Sequence, residues 1–402
     1  MGVDRTQSDF RSLQDKLPEI QETLRTQQLD GWLLWDMRAR NGVASRLLGL
    51  GELSRRYFVF IPRDGEPKAL THGIEQGPWK QWPWATLKYV GWQELEQSLR
   101  TLVGGAKRVA MEISEGDGVP VTDLVPWGVV ELVRGLGLEV VASGDMITRF
   151  YSRWTDADVA SHRRASVICA QVAQAAFQWL GGRIGSGESV SEGELHDWVV
   201  ADLVRRGAPV EADCIAATGV NAADPHYGPV GAGATFSKGD VVLLDLWARE
   251  STEAIYADQT WMAYLGSSVP ERVAKLFGIV RDARDAAVQT FMDGWAARRP
   301  VRGADLDDAA RNLITDAGYG AFFIHRTGHS IDYTLHGSGP NIDNLETRET
   351  RLLLPGIGFS VEPGIYLPGD IGLRTEINMF VTAQGPEVTT PQPQDRVTAL
   401  LA

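Results

Sequence analysis

Two aspartates each interrupt a run of apolar, strand-forming residues. Asp245 lies within residues 241–247, and Asp258 lies within residues 254–261. Short runs rich in Val, Leu, Ile, Tyr and Trp are typical of buried strands. A carboxylate inside such a strand loses its hydration, which is costly unless a proton or a cation compensates for it. Both positions are therefore candidates for chemistry rather than for packing.

The polar segment 249–253 predicts a hairpin that joins these two strands. If its turn is centred between Ser251 and Thr252, Asp245 lies directly opposite Asp258. Opposite residues of an antiparallel pair have Cβ atoms roughly 4.5–5.5 Å apart. Two buried carboxylates at that distance repel each other unless one is protonated or a cation lies between them.

Two glutamates repeat the pattern further along the chain. Glu362 ends an apolar segment that begins at residue 359, and Glu376 lies within residues 373–380. A single acid in a strand is usually a partly exposed residue with no chemical role. Four such acids in one part of the chain favour a common site that holds a cation.

Histidines in the same region supply a second kind of metal ligand: His226, His325, His329 and His336. The segment 325–329 lacks the glutamate of the zinc-protease HExxH helix, which excludes that mechanism. Carboxylates with one imidazole suit Mn²⁺, Co²⁺ or Zn²⁺. A pair of such ions bridging one water lowers its pKa and yields hydroxide at neutral pH. The residues therefore predict a dinuclear metal-dependent hydrolase.

Length and composition describe the protein that must position these residues. The chain has 402 residues, 44% hydrophobic and 23% charged, which is typical of a globular protein of about two domains. Its net charge of −13 argues against binding to nucleic acid or to an anionic membrane surface. The polar start and the two cysteines predict a cytoplasmic protein without disulfide bonds.

Residues 1–152 predict a small α/β domain. An amphipathic helix over residues 8–28 precedes a buried strand over residues 31–35. Further short strands are predicted at residues 56–62, 68–71, 108–112 and 139–142. Tryptophans cluster between the strands predicted at 68–71 and 108–112, and they are expected to pack internally or to contact another subunit: Trp79, Trp82, Trp84 and Trp92.

The pattern changes near residue 153, which begins a second domain over residues 153–402. A capping box at residues 155–158 predicts a long helix that ends at Gly181 and Gly182. A second box at residues 191–194 predicts a shorter helix to Arg206, closed by Gly207.

The second half of this domain repeats the same order. A long helix over residues 270–297 and a short helix over residues 305–317 are again joined by a glycine-containing turn. This internal repeat predicts two pseudo-equivalent halves. A cleft between such halves is a natural place for the site.

The ordered set of candidate ligands resembles the metal site of the pita-bread metallopeptidases, which include methionine aminopeptidase, aminopeptidase P and prolidase: Asp245, Asp258, His329, Glu362 and Glu376. The motifs at 219–227, 327–329 and 361–366 agree with it, and the resemblance covers residues 155–390. It implies an α+β fold, in which a smaller creatinase-type α/β domain precedes a pita-bread C-terminal domain with pseudo-twofold halves. It also implies a homodimer.

The resemblance gives each ligand a role. Asp245 would chelate one metal ion and His329 the other, while Asp258 and Glu376 would bridge two ions, Mn²⁺, Zn²⁺ or Co²⁺. Glu362 would bind metal and carry the proton. The metal-bridged hydroxide would attack the scissile carbonyl.

The resemblance also assigns the other histidines. His226 and His336 match histidines that steady the substrate carbonyl and the tetrahedral intermediate, and His325 matches a further histidine of the pocket. Oxyanion donors of this kind contribute about 3–4 kcal/mol each to catalysis.

The long N-terminal domain favours the Xaa-Pro enzymes over methionine aminopeptidase. Prolidase cleaves Xaa-Pro dipeptides, whereas aminopeptidase P removes the first residue from longer Xaa-Pro peptides. Arg348, 14 residues before Glu362, matches the prolidase arginine that clamps the proline carboxylate. Arg374 matches an arginine that supports the site. The sequence thus predicts an Xaa-Pro dipeptidase, with aminopeptidase P as the alternative.

Two other functional classes with the same fold agree less well with these residues. Creatinase-type amidinohydrolases share the fold but lack the metal ligands, and non-catalytic pita-bread peptide-binding modules typically lose them. Departures from the family pattern concern the substrate pocket, where Ser330 and Asp332 replace glycines. The interval between the two aspartates is also two residues longer than usual, and we expect the hairpin loop to absorb it without changing the pairing.

Overall fold

The chain forms two compact units that meet in sequence at Tyr151 and Ser152. The computed structural model describes residues 10–228 and 231–402. Helices and strands occur in both units, so the mixed α and β architecture expected from the sequence is confirmed.

The first unit contains one mixed sheet with helices packed on it. Its helices are α1 (Arg11–Thr26), α2 (Gly42–Leu47), α3 (Trp92–Val103), α4 (Trp127–Gly135) and α5 (Gly144–Phe150). Its strands are β1 (Gly31–Asp36), β2 (Tyr57–Pro62), β3 (Lys68–His72), β4 (Ala85–Tyr89), β5 (Arg108–Met111) and β6 (Glu139–Ala142). The order across the sheet is β4-β3-β2-β1-β5-β6, so β1 is central and every residue in it is buried.

The tryptophan-rich stretch of this unit is mainly internal. Trp79 and Trp82 are buried and pack with Phe10 in the core on one face of the sheet. Trp92 differs from them because it is 61% exposed at the start of α3. The internal packing expected for this cluster therefore holds for Trp79 and Trp82.

The second unit is built from two halves with the same order of elements. The first half contains α6 (Asp156–Gly185), α7 (Glu192–Arg205), β7 (Val210–Thr218), β8 (Val241–Arg249) and β9 (Ala257–Tyr264). The second half begins with α8 (Glu271–Ala296) and α9 (Gly303–Asp316). Its strands are β10 (Ser330–Ile331), β11 (Gly358–Val361), β12 (Gly364–Leu367), β13 (Ile371–Arg374), β14 (Ile377–Thr382), β15 (Gly385–Val388) and β16 (Thr398–Ala399).

The second unit contains two four-stranded sheets, and the sheet of the first half gains its fourth strand, β16, from the second half. The orders are β16-β9-β8-β7 and β10-β11-β14-β15, and β12 pairs with β13 in a separate hairpin. The two sheets meet at Asn378 of β14, which accepts a hydrogen bond from the Asp258 amide (3.0 Å) and donates one to the Asp258 carbonyl (2.7 Å). A side-chain amide thus completes the backbone pairing of β9 where the halves join.

Both predicted capping boxes are present at the helix starts. Thr155 and Asp158 exchange hydrogen bonds at the start of α6, and Ser191 and Glu194 do so at the start of α7. Gly207 follows α7 with a φ of 101°, as a C-terminal glycine does.

The predicted end of α6 at Gly181 and Gly182 is wrong, because the helix continues to Gly185. A Cβ at Gly181 would lie 2.8 Å from the Leu400 carbonyl oxygen. Gly181 is therefore a position where the C-terminal segment crosses the helix closely, and it does not terminate the helix.

The predicted register of the hairpin between β8 and β9 is wrong by two residues. Asp245 pairs with Thr260, and Asp258 pairs with Trp247, so the aspartates are diagonal neighbours rather than directly opposite. A shift of two residues keeps both side chains on the same face of the sheet. The extra length of this interval therefore changed the pairing without separating the carboxylates onto opposite faces.

The register differs because the residues before β9 pack elsewhere. Ile255 and Tyr256, expected in the strand, are buried beside Trp154, Ile331 and Phe380 in a small separate core. The Tyr256 amide donates to the carbonyl oxygen of Asp332, outside the hairpin (3.4 Å). Strand β9 consequently begins at Ala257, three residues later than predicted.

Candidate metal centre

Three of the predicted ligands converge in the second unit. Asp258 on β9, His329 just before β10 and Glu376 just before β14 each offer one ligand atom, and these atoms lie within 4.8 Å of one another. All three residues are buried, with exposed fractions of 3–5%. Residues that are far apart in the sequence therefore form one compact group of metal-ligating atoms.

Asp245 is held beside this group by an arginine. Its Oδ2 atom accepts a hydrogen bond from Nη2 of Arg374 at 2.5 Å, and the Nε of Arg374 donates to Thr260 at 3.0 Å. Thr260 in turn donates to Glu376 Oε2 at 2.9 Å. Arg374 thus contacts one predicted ligand directly, and one chain of hydrogen bonds links Asp245 to Glu376.

Glu362 and Asp258 both lie close to the His329 imidazole. The His329 Nε2 atom is 3.3 Å from Asp258 Oδ2 and 3.5 Å from Glu362 Oε1. Its Nδ1 atom lies 3.1 Å from the Ser330 carbonyl oxygen and donates to it, which leaves Nε2 as the ligating atom. The Ser360 hydroxyl donates to Glu362 Oε1 at 3.0 Å and fixes that carboxylate.

The buried carboxylates lack enough neighbouring positive charge and hydrogen-bond donors to stabilise their ionised form. Burial, together with the neighbouring acids, raises the pKa of Asp258 and of Glu376 well above the usual carboxylate range. Within the described part of the chain, no hydrogen-bond donor reaches one oxygen on each of three acids: Asp245, Asp258 and Glu376. Buried carboxylate oxygens without donors are costly unless a cation binds them. The donor set of oxygens with one imidazole nitrogen fits a divalent metal ion.

A cavity of about 260 Å³ opens onto these ligands. Its charged and histidine lining residues are Asp245, Asp258, Glu362, Glu346, Arg326, Arg374, His226, His325, His329 and His336. The remaining wall is apolar and consists of Ile215, Pro225, Trp247 and Leu335. The site therefore combines a polar metal-ligating floor with an apolar wall, as small-molecule sites commonly do.

The three further predicted histidines all line this cavity, in different settings. His226 is exposed, and its amide donates to Asp224 at 3.1 Å. The His336 ring packs against the His329 ring with centroids 4.4 Å apart. Burial is the main cause that lowers the pKa of His336 to about 4, so its ring is neutral at pH 7.

His325 is the most constrained of the three histidines. Its Nδ1 lies 2.6 Å from the Arg326 carbonyl oxygen, and its Nε2 lies 2.8 Å from the Tyr366 hydroxyl. Burial lowers the pKa of His325 to about 4, which keeps the ring neutral. With Nδ1 donating to the carbonyl, Nε2 accepts from Tyr366, which also contacts Arg374 at 3.2 Å. His325 is thereby linked to the network that orients Asp245.

Arg348 lies outside the residues that line the cavity. It is exposed on the loop before β11, and Glu346, two residues earlier, is the part of this loop that reaches the cavity. Arg326 lines the cavity directly. The arginines that line the cavity are thus Arg326 and Arg374, and the predicted clamp position is not among them.

Several residues of the site received no role from the sequence. Thr260, Tyr366 and Arg326 stand within or beside motifs that drew attention for other residues. Thr260 had a detectable signal, because it lies two positions after Asp258 and therefore on the same face of β9. Asn378 had none, since its bridging role depends on how two sheets meet.

The sequence comparison identifies the family. Residues 160–383 match the profile of Metallopeptidase family M24. The chain belongs to this family. Membership in a metallopeptidase family agrees with the cluster of buried carboxylates around His329.

Relatives of this member of family M24 include dipeptidases. An Xaa-Pro dipeptidase from Lactobacillus delbrueckii is 36% identical over 173 residues, which are 43% of each chain. The chain therefore spans less than half the length of that relative in the match. A probable dipeptidase PepE from Mycobacterium tuberculosis is 26% identical over 332 residues, 81% of each chain.

Solved structures share the fold over nearly the whole chain. Dipeptidase PepE from Mycobacterium ulcerans superposes with a TM-score of 0.70 at 23% identity, covering 98% of this chain and 99% of that one. The fold expected from the sequence, a pita-bread C-terminal unit that follows a smaller N-terminal unit along the chain, is thereby confirmed. None of the helices in the described ranges is long and apolar enough to cross a membrane.

Proposed function

We propose that this M24 peptidase hydrolyses the Xaa-Pro bond of dipeptides. The observation that carries the proposal is the group of buried carboxylates around His329, open to a small cavity with an apolar wall. The cavity of about 260 Å³ lies just below the roughly 300–1,000 Å³ typical of drug-sized ligand sites, which favours a small substrate. The Lactobacillus relative, an Xaa-Pro dipeptidase, supports the same choice.

The metal ions are part of the proposal. Asp245, Asp258, His329, Glu362 and Glu376 would hold two divalent ions, Mn²⁺, Zn²⁺ or Co²⁺. Such ions lower the pKa of a bound water and polarise a carbonyl oxygen. Support comes from the carboxylate oxygens without donors and from His329, whose Nε2 faces Asp258 and Glu362.

The protein residues would perform the remaining steps. Glu362 lies at the edge of the ligand group and is oriented by Ser360, so we assign to it the transfer of the water proton to the proline nitrogen. His226 and His336 would donate hydrogen bonds to the scissile carbonyl as its oxygen becomes negative. Water adds across the C–N bond, which releases the first amino acid and free proline.

The apolar wall suits proline at the second position. An Xaa-Pro bond has no N–H group, so its binding site needs no hydrogen-bond acceptor beside the scissile nitrogen. Trp247 and Leu335 of the cavity wall supply apolar surface for the pyrrolidine ring. In the prediction made from the sequence, Arg348 would clamp the carboxylate of this proline.

The cysteines and one exposed tryptophan bear on where the protein acts and how it assembles. We propose a cytoplasmic enzyme, since Cys169 and Cys214 are both free and buried. We also propose a homodimer, for which Trp92, 61% exposed in the first unit, is the expected contact. The units on either side of residue 152 would be the creatinase-like and the catalytic domain.

The decisive experiment compares two substrates on the enzyme reconstituted with Mn²⁺. We expect a higher kcat/KM for Ala-Pro than for Ala-Pro-Ala, because the substrate site is small. A preference for the tripeptide would instead make the protein an aminopeptidase P. Absence of turnover on both peptides in metal-replete buffer would contradict the proposed function.

A further inference from the structure

The loop that carries His336 is held from both sides by buried arginines. This His336 loop spans residues 332–340, and the His336 ring lines the cavity, where it contacts the His329 ring. The position of the ring depends on the backbone that carries it. On the side before His336, the buried Arg249 donates from Nη1 to the Tyr333 carbonyl oxygen at 2.7 Å. The first part of the loop is thus tied to the end of strand β8.

On the other side, Arg351 donates to two consecutive carbonyl oxygens of the loop. Its Nη1 atom is 2.6 Å from the Ser338 oxygen, and its Nη2 atom is 2.7 Å from the Gly339 oxygen. The fully buried Glu349 matches the charge of Arg351 and accepts hydrogen bonds from Nε at 2.9 Å and from Nη2 at 2.6 Å. The planar fork of a guanidinium can reach an acid and two carbonyls together, whereas the single nitrogen of a lysine cannot.

Asp332, at a position where the family pattern has glycine, closes the loop from within. Its carboxylate accepts hydrogen bonds from the Thr334 amide at 2.8 Å and from the Ser338 amide at 3.0 Å, on either side of His336. A Cβ at Gly337 would lie 2.8 Å from this carboxylate, so a glycine beside His336 leaves room for it. The departure from the family pattern at residue 332 therefore adds contacts that a glycine cannot make.

We propose that Arg249 and Arg351 are positioning residues that hold the His336 loop in place beside His329. The inference rests on the proposed function, in which His336 donates a hydrogen bond to the scissile carbonyl as its oxygen becomes negative. Such a donor must be placed accurately, since a displacement of about 1 Å can cost roughly 100-fold in rate. Neither arginine lines the cavity, so each would act through His336 and not on the substrate.

Amides within the loop provide a readout that is independent of activity. The Gly337 amide donates to the Ser330 carbonyl oxygen at 2.7 Å, and the Ser338 amide donates to Asp332. Hydrogen–deuterium exchange of residues 332–340, measured on the full-length enzyme, therefore reports how firmly the loop is held.

The variants replace each arginine with lysine, which keeps the charge but loses the fork of donors. We expect Arg351→Lys and Arg249→Lys each to accelerate exchange of the His336 loop roughly 10-fold, the equivalent of one charge-assisted hydrogen bond. Arg299→Lys is the control, because Arg299 is exposed after the end of α8, and it should leave this exchange unchanged. The two variants act from opposite sides of the loop, so either one tests the proposal if the other fails to fold. Unchanged exchange in the variants that fold would overturn it.

Activity in Mn²⁺ distinguishes positioning from a general loss of structure. We expect Arg351→Lys to lower kcat for Ala-Pro roughly 10- to 100-fold while KM changes by less than about threefold. In a His336→Ala background, the same substitution should have no further effect on kcat, because the donor that it positions is gone. An equal loss of kcat in both backgrounds would mean that Arg351 does not act through His336, and the proposal would be wrong.

These outcomes separate the inference from the function on which it rests. If the wild type cleaves Ala-Pro but the arginine variants match it in exchange and in kcat, the positioning role fails and the dipeptidase function stands. If the wild type cleaves neither Ala-Pro nor Ala-Pro-Ala in Mn²⁺, the proposed function fails. The exchange measurements alone then decide whether the two arginines hold the loop.

Discussion

Asp258 contributes to the structure through its backbone and to the candidate metal centre through its side chain. Its backbone joins the two sheets through Asn378, and its carboxylate faces His329 in the buried ligand group. The backbone of Asp258 therefore contributes to the fold, and its carboxylate contributes to the proposed metal site. A substitution that keeps the shape of the side chain but removes its charge tests the second contribution alone.

Replacing Asp258 with Asn should abolish activity while the fold survives. The change removes a negative charge and a ligand oxygen, which should cost several kcal/mol of metal-assisted catalysis, or roughly a thousandfold in kcat/KM. It also removes repulsion between buried acids, so we expect no loss of stability relative to the metal-free wild type. The measurement is Ala-Pro turnover in Mn²⁺-replete buffer, with circular dichroism to verify the fold.

Asp316→Asn is the control for this substitution. Asp316 is exposed at the end of α9, so the same chemical change there should leave kcat/KM unaltered. Substantial turnover by Asp258→Asn would mean that this carboxylate is no part of the metal centre.

Among single residues, the sequence was most informative about acids that lie within apolar strands. An acid inside an apolar strand is visible in the sequence alone, which is why Asp245 and Asp258 drew attention at once. The contact between Arg374 and Asp245 was foreseen only as general support, because it depends on how a strand of the second half reaches the first. Arg326 carried no signal, since a lone arginine on a loop is ordinary.

Helix starts, which local sequence signals define, were predicted correctly. The start of strand β9, which depends on packing against residues distant in sequence, was predicted incorrectly. The capping boxes at Thr155 and Ser191 act within four residues, and both are present. The start of β9 depends on Ile255 and Tyr256, which pack against residues some 100 positions away in sequence in either direction. No local pattern contains that contact, so the hairpin register was wrong.

The two glycines in α6 provide a direct test of how the helix is packed. A Cβ at Gly181 would press on the Leu400 carbonyl oxygen at 2.8 Å, whereas nothing lies within 4 Å of a Cβ at Gly182. We expect Gly182→Ala to stabilise the protein by roughly 0.5–1 kcal/mol, because Ala favours the helix. We expect Gly181→Ala to destabilise it by roughly 1–3 kcal/mol through overpacking.

The measurement is urea unfolding of both variants beside the wild type. Each variant is the control for the other, since the substitution and the helix are the same. If both variants gain stability equally, the close approach of the C-terminal segment to α6 is not a constraint.

At the scale of the whole molecule, the metal centre should control the stability of the second unit. The acids that converge there come from both halves, so their repulsion opposes the association of the halves unless a cation is bound. In the described part of the first unit, no comparable group of ligands occurs. Metal binding should therefore act on one unit of the two.

Removing the metal should lower the melting temperature of the wild type. Saturation at 100 times Kd corresponds to about 2.7 kcal/mol of stabilisation. For a unit of this size, that corresponds to a change in Tm of roughly 5–10 °C. We expect calorimetry in Mn²⁺ and in EDTA to differ by this amount for the wild type and by much less for Asp258→Asn. Identical curves in the two buffers would contradict a metal-stabilised second unit.

Strand β16 has a consequence for the way the protein is made. It pairs in parallel with β9, and the Leu400 amide donates to the Tyr264 carbonyl oxygen at 2.9 Å. During translation, β9 emerges from the ribosome more than 130 residues before its partner, so Asp258 waits on an uncovered edge strand. The first unit can fold as it emerges, whereas this sheet is completed only after residue 401 has left the exit tunnel. The sheet that carries Asp245 and Asp258 is therefore completed long after strands β7, β8 and β9 have been made.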